Sequence, residues 1–247
     1  MQPTEYQTMR QVEDQHWWYA VQRRLVETAL SARLPPAAQV LDAGCGTGGM
    51  MHWLRQQPWQ LQGVDLHPDA VSACHLRGLP DVQLADVSFM PFAAGQFDAV
   101  LSLDVLYHSA VDEPATLAEM LRVLRPGGWL LLHLPAFECL RGSHDIAVCG
   151  ARRYKACHVR RLLGFHNMSI EILHPWNACL FFPILLHRVW SRFQAPKHGR
   201  AASDLRLPPA WLNALLTRLG RFDAQMCRHL HLPVGTSWFV VARKVGE

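Results

Sequence analysis

The stretch VLDAGCGTGGM, Val40 to Met50, decides the fold. An apolar strand runs into a carboxylate, and glycines at 44, 46, 48 and 49 lead into a helical pattern. Glycine permits positive φ and close backbone approach, and the helix that follows offers unpaired N–H groups. The loop is therefore built to hold a polar, nucleotide-like ligand. Gly44, Gly46 and Gly49 also satisfy G-x-G-x-x-G, so the loop alone does not choose between a dinucleotide and another adenosine ligand.

Working outward, LQGVDL reads as a second strand ending at Asp65, and a helix over 69–77 follows the His67-Pro68 turn. A short strand over 82–85 precedes Asp86, and FDAVLSL begins a fourth strand at Phe97. A helix over 113–124 is stopped by Pro126-Gly127-Gly128, and WLLLHL from Trp129 is a fifth strand. This alternation predicts a doubly wound, mostly parallel sheet whose ligands gather outside the carboxyl ends of its strands. Upstream, residues 5–33 place Trp17, Trp18, Val21, Leu25 and Leu30 at helical spacing, up to the Pro35-Pro36 break. Beyond Pro135 come an irregular loop and a helix through Leu162 and Leu163 that ends at Gly164. Ala156 opens that helix where a capping hydroxyl is expected. MSIEILHPW is a sixth strand, residues 177–230 are helices broken near His198 to Ser203 and at Pro208-Pro209, and TSWFVVARK is the terminal strand. The expected organisation is an N-terminal helical segment over 1–36 and a domain over 37–247 that carries a helical cap at about 177–232.

The 247 residues are half apolar and 18% charged, enough for a real core. A net charge of +4 is too small to imply nucleic acid without a localised patch. Seven cysteines, odd in number, dispersed and without a C-x-x-C pair, follow no signal peptide and point to reduced thiols in the cytoplasm. No apolar run reaches the roughly 18–20 residues that span a bilayer. CLFFPILL, Cys179 to Leu186, is followed by Arg188, Arg192, Lys197 and Arg200. It reads as a core or cap helix with solvated arginines, or as a peripheral contact with a membrane surface. Cys157 and His158 are adjacent, not at metal-ligand spacing, and no metal is expected.

Asp42, Asp65 and Asp86 close the first three strands, so folding brings them to one edge of the sheet. Asp65, two residues after Gly63, is placed to accept both ribose hydroxyls of an adenosine ligand. Asp42, directly before the loop, would repel a pyrophosphate but suits a ligand bearing an ammonium or sulfonium group, which disfavours NAD.

These residues resemble the class I S-adenosylmethionine-dependent methyltransferases that carry a VLDxGCGTG loop, over residues 40–135. The resemblance implies an α/β fold, a Rossmann-like doubly wound seven-stranded sheet, mostly parallel with an antiparallel last strand. It implies S-adenosylmethionine as cofactor, with Asp42, Gly44, Cys45, Gly46 and Gly48 at the methionine end. It places Asp65 and Leu66 at the ribose and Asp86 with Val87 at the adenine. Ser102, Asp104, Val105 and His108 of FDAVLSLDVLYHS would border the methionine moiety and the methyl group. EDQHWWY, RGSHD, SDLRLPPAWLN and PVGTSWFVVARK are similar to a bacterial type 11-like subgroup that acts on small molecules.

In-line methyl transfer asks for alignment, a dry pocket and a readily deprotonated acceptor. His144 with Asp145, in the loop after strand five, is the first choice of base, and His108 is the second. Tyr19, Trp18, Tyr107 and Phe181 are candidates for substrate contact. Phe181, Phe182, Ile184, Leu185, Leu186 and Trp190 are expected to wall an apolar pocket with a basic rim. The His16-Trp17-Trp18-Tyr19 cluster reads as packing, or as a flap over the site. Cys45 needs only to be small. The expected function is methyl transfer to an O, N or C atom of an apolar small molecule or lipid-like substrate. The alternative is a protein of the same fold that binds the cofactor structurally and promotes a rearrangement or holds a ligand. RNA or protein methylation finds no basic and aromatic module and no Asn-Pro-Pro-Tyr-type tetrapeptide, so no nucleic-acid partner is expected. The oligomeric state is not legible.

Overall fold

The structure, a computed structural model, describes residues 3–193, 206–230 and 232–246. Two helices lead the chain, α1 (Pro3–Val12) and α2 (Trp17–Ser31). The helical stretch expected over 5–33 divides because His16 is extended (ψ 132°) and its Nδ1 accepts from the Trp18 N–H at 3.3 Å, which caps α2 as a new N-terminus. The alternating body follows as β1 (Gln39–Ala43), α3 (Gly49–Leu54), β2 (Gln60–Asp65), α4 (Pro68–Leu76), β3 (Val82–Leu84), β4 (Phe97–Leu103), α5 (Glu113–Val123) and β5 (Leu124–Pro135). Then come α6 (Ser143–Ala147), α7 (Ala156–Gly164), β6 (Met168–Trp176), α8 (Phe181–Phe193), α9 (Ala210–His229) and β7 (Ser237–Lys244).

The seven strands lie in the order β3-β2-β1-β4-β5-β7-β6, six parallel to one another and β7 antiparallel between β5 and β6. The order reverses direction between β1 and β4, and the crevice at that switch lies at the carboxyl ends of both. β5 starts earlier than its apolar run predicts. Leu124 pairs with Phe97 and Trp129 with Ala99, so the Pro-Gly-Gly bulges out of a strand that begins directly after α5.

Period-two alternation divides the core. Leu41, Val100, Leu130, Leu132 and Val240 meet Leu117 and Met120 of α5 and Val159 and Leu163 of α7. Val40, Leu101, Leu131, Phe239 and Val241 meet Val21, Val26 and Leu30 of α2 and Ala224 of α9. Helices on both faces explain why the strands read as continuous apolar runs. His133, two residues beyond Leu131, faces the α2 side. α7 starts without a side-chain cap at Lys155, as Ala156 foretells. The break expected at His198 to Ser203, with Lys197 and Arg200, lies outside the described residues, as does the side chain of Arg192.

Candidate active site

β1, β2 and the turn after β3 deliver Asp42, Asp65 and Asp86 to one cavity of about 550 Å³. A larger open groove of about 1000 Å³ beside Trp129 and Arg243, at the start of β5, contains none of the three. The cavity floor is the glycine loop, where Gly44 has φ 87° and Gly46 φ 55°, in the region that favours glycine. A Cβ on Gly44 would strike the Val105 side chain, and one on Gly46 would lie 2.7 Å from Met9 Cε. Gly48 does not line the cavity. It starts α3 with φ 83°, and a Cβ there would meet Cys74 Sγ and Leu79 Cδ1 at 2.8 Å, so its bareness serves the packing of α3 on α4.

The carboxylates differ in environment. Asp65 is held on both oxygens, with Oδ2 accepting from the Gly46 N–H at 2.9 Å and Oδ1 from the His67 N–H at 2.9 Å and the Tyr6 hydroxyl at 3.3 Å. Asp86 accepts from the N–H and hydroxyl of Ser88 at 2.8 and 2.7 Å. Asp42 is buried, and its carboxyl is pushed up to about 7 by burial first and then by the negative charges of Asp65 and Glu13. A desolvated carboxyl in that electronegative setting is relieved by a cation, so the residues present fit a ligand bearing sulfonium or ammonium charge. Leu66, Val87, Val105 and Cys45 also line the cavity. The Cys45 thiol is raised well above its usual range by its hydrogen bond with Cys74 and by burial, so it stays protonated.

Sequence reasoning expected helix here but missed that α1 and the residue after it reach the cavity. Tyr6, Met9 and Glu13 line the cavity over the glycine loop. The buried Glu13 carboxylate accepts from the Thr47 hydroxyl and pairs with Arg77 at 2.7 Å, and Arg23 holds the Glu13 carbonyl at 2.8 Å. The Tyr6 ring stacks on His67 with centroids 4.6 Å apart. α1 is a mostly polar segment, so no apolar stripe advertised this docking.

A polar relay enters from the α2 side. Asp104, at φ 58° after β4, accepts from Gln22 Nε2 at 3.1 Å and lies 2.8 Å from His133 Nδ1. Trp176 Nε1 donates to His133 Nε2 at 2.5 Å. Trp18 packs edge-on against His133 and also lines the cavity with Trp17, Tyr19 and Tyr107, so the aromatic cluster packs and borders the site together. Two expected contacts lie elsewhere. Ser102 is fully buried within β4 away from the cavity, and Phe181 packs on Phe137 with centroids 5.7 Å apart.

His108, His144 and Asp145 all reach the cavity. Asp145 is not the partner of His144. Its carboxylate takes Arg153 in a two-pronged ion pair at 2.8 and 3.2 Å and accepts from the Gly142 N–H, which holds it below its usual range against the opposing effect of burial. His144 Nδ1 is buried without a hydrogen-bond partner among the described residues. His108 Nδ1 lies 2.7 Å from the Val148 carbonyl, so it carries the proton and Nε2 keeps a lone pair, while burial lowers the imidazole pKa. The apolar wall expected from α8 is half there: Ile184 and Arg188 line the cavity, whereas Phe182, Leu186 and Trp190 point to solvent.

Comparison with known proteins agrees with this geometry. Residues 41–132 match the family described as methyltransferase domain. A malonyl-[acyl-carrier protein] O-methyltransferase of Enterobacter lignolyticus is 37% identical over 124 residues, 49% of this chain and 48% of that protein. A ubiquinone biosynthesis O-methyltransferase of Xanthomonas oryzae pv. oryzae is 37% identical over 147 residues, 56% of this chain and 58% of that protein. The chain thus spans about half the length of the curated relatives it matches. The crystal structure of the [4+2]-cyclase SpnF superposes with a TM-score of 0.59 at 20% identity, over 91% of this chain and 81% of that one, a likeness of fold. By its glycine loop, its strand order and its matched relatives, the part of the chain over residues 41–132 is similar to the methyltransferase domain of class I S-adenosylmethionine-dependent enzymes.

Proposed function

We propose that the protein transfers the methyl group of S-adenosylmethionine to an O, N or C atom of an apolar small molecule or lipid-like substrate, as a cytoplasmic enzyme. The observation that carries this reading is that one cavity joins the Asp42, Asp65 and Asp86 edge to His108, His144 and the aromatic rim. The names of the two O-methyltransferase relatives support oxygen as the accepting atom. Bound there, the sulfonium supplies a methyl group open to in-line displacement. Asp65 and the loop amides hold the ribose side, Asp86 with Val87 the adenine side, and Asp42 answers the positive charge. His108 Nε2 takes the acceptor's proton, and the neutral imidazole that burial favours is ready for it. The unpartnered Nδ1 of His144 orients the acceptor. Trp18, Tyr19 and Tyr107 exclude water. In this reading residues 1–36 close the cofactor side and about 177–232 cap the substrate side.

Titration calorimetry tests the site. Micromolar binding of adenosylmethionine that is lost in Asp65→Ala supports it, and no binding by the parent protein rejects it. A second reading, structural cofactor binding without methyl transfer, draws on the cyclase that shares the fold. Formation of adenosylhomocysteine separates the two.

A further inference from the structure

We propose that the face formed by α8 and the start of α9 docks on an anionic lipid bilayer, so that the cavity mouth opens against the membrane. The inference rests on the lipid-like-substrate reading above and names the partner from which that substrate arrives.

The two faces of α8 do different work. Phe181 is buried, and Ile184 and Arg188, three and seven residues on, line the cavity. On the other side, Phe182, Leu186, Val189 and Trp190 follow at i, i+4, i+7 and i+8, a single helical stripe. Phe182 is 63%, Leu186 69% and Trp190 68% exposed. The segment before α9 repeats the arrangement. Arg206 and Pro208 line the cavity, while Leu207, Trp211 and Leu215 are exposed at four-residue spacing. Two strips of large exposed apolar side chains thus adjoin residues that line one cavity, and isolated surface hydrophobes do not produce that pattern. Tryptophan at two of these positions suits the headgroup level of a bilayer, where an indole keeps its N–H in the polar layer.

Charge identifies the partner. Residues 177–236 contain eight Lys and Arg against two acids, a net of +6 in a chain whose total is +4. The rest of the protein is therefore net negative. Among the described residues of that segment the acid is Asp223, 1% exposed and accepting from the Cys179 N–H at 2.7 Å, so it does not face a partner. A segment of net positive charge that carries an apolar, Trp-bearing face matches anionic lipid, which attracts the cations while the hydrocarbon boundary accepts the rings. No helix of the described residues is long and apolar enough to cross a membrane, so the contact is peripheral.

Co-sedimentation of the full chain with vesicles tests this. Pelleting with phosphatidylcholine vesicles that contain roughly a quarter phosphatidylglycerol is expected, and binding to phosphatidylcholine alone is expected to be at least about tenfold weaker. Leu186→Gln with Trp190→Ala, outside the cavity, is expected to weaken pelleting roughly tenfold while calorimetric binding of adenosylmethionine is kept. Trp211→Ala, one exposed ring, carries the same reading if the double variant loses its helical circular dichroism. Absence of pelleting with the anionic vesicles, or pelleting unchanged in both variants, overturns the proposal. So does a dimer in light scattering that the double variant turns into monomer, since a second copy then covers the face, and so does single-stranded RNA that displaces the vesicles. A chain that pellets but forms no adenosylhomocysteine defeats the methyl-transfer reading alone. One that binds adenosylmethionine but not vesicles defeats this one alone.

Discussion

His133 Nδ1 lies 2.8 Å from Asp104 Oδ2, and because His133 Nε2 accepts from Trp176, the proton of this buried ring must sit on Nδ1 and point at the carboxylate. The relay fixes the Asp104 side chain, whose backbone is in the left-handed region, at the rim of the cavity. Trp176→Phe strands the His133 acceptor and leaves a small void, at an expected cost of about 2–4 kcal/mol in urea unfolding. Made in a His133→Phe background the same change is expected to cost less, with a coupling of about 1 kcal/mol or more. Additive costs would show that the two side chains merely pack.

Asp42 sets a pH dependence of known sign. Its folded carboxyl, up to about 7 from 3.8, keeps a proton that the unfolded chain gives up, so the folded state binds more protons between those values and stability falls as pH rises through them. Asp42→Asn is therefore expected to melt above the parent at about pH 8, by a few kcal/mol at most, and close to it at about pH 4. A cationic ligand favours the ionised form. Binding of adenosylmethionine at about pH 6 is then expected to release protons, read as a calorimetric enthalpy that varies with the ionisation heat of the buffer. A buffer-independent enthalpy would exclude Asp42 as the counter-charge.

What the sequence disclosed and what it hid divide by range. Gly44, Gly46, Asp42 and Asp65 lie within one βαβ unit, where local spacing determines position, and all four meet at the cavity. Tyr6 reaches Asp65 at the end of β2 from 59 residues away, and Glu13 reaches Thr47 of the glycine loop from 34, one on a helix without an apolar stripe and the other directly after it, so no local pattern announces them. Asp145 and His144 are neighbours in sequence, yet Arg153 claims the carboxylate, because a buried Asp takes the nearest guanidinium. α8 is apolar on both sides, so its residues could not be sorted into wall and surface before the cavity was known.

The clamp between α1 and the loop gives a stability test. Glu13 is buried, and burial raises its carboxyl, while Thr47, Arg77 and Arg23 act in the opposite direction. Arg77→Ala removes the nearest cation and leaves the buried carboxylate to Thr47 and the charge of Arg23 alone, with an expected loss of about 3 kcal/mol in unfolding. Faster amide exchange across α1, with the sheet still protected, is the expected local signature. Equal exchange in both proteins would mean that α1 is held by its other contacts.

His108 and His144, both lining the cavity, can be separated by their pH profiles. His108 Nδ1 is committed to the Val148 carbonyl, and burial lowers its pKa, so its Nε2 stays unprotonated below the 6.5 of an ordinary imidazole. Protonation removes the lone pair, so activity is lost on the acid side, and the acid limb of kcat/KM is expected below that value. His108→Asn keeps a donor toward Val148 but has no basic nitrogen. It is expected to lower kcat by about 10²–10⁴-fold and abolish the limb, with adenosylmethionine binding intact. His144→Gln, which retains polar atoms near the same place, is expected to raise KM more than it lowers kcat and to leave the limb where it was. An acid limb that disappears in His144→Gln and persists in His108→Asn would reverse the assignment, because only the residue that accepts the proton carries the titration into the rate.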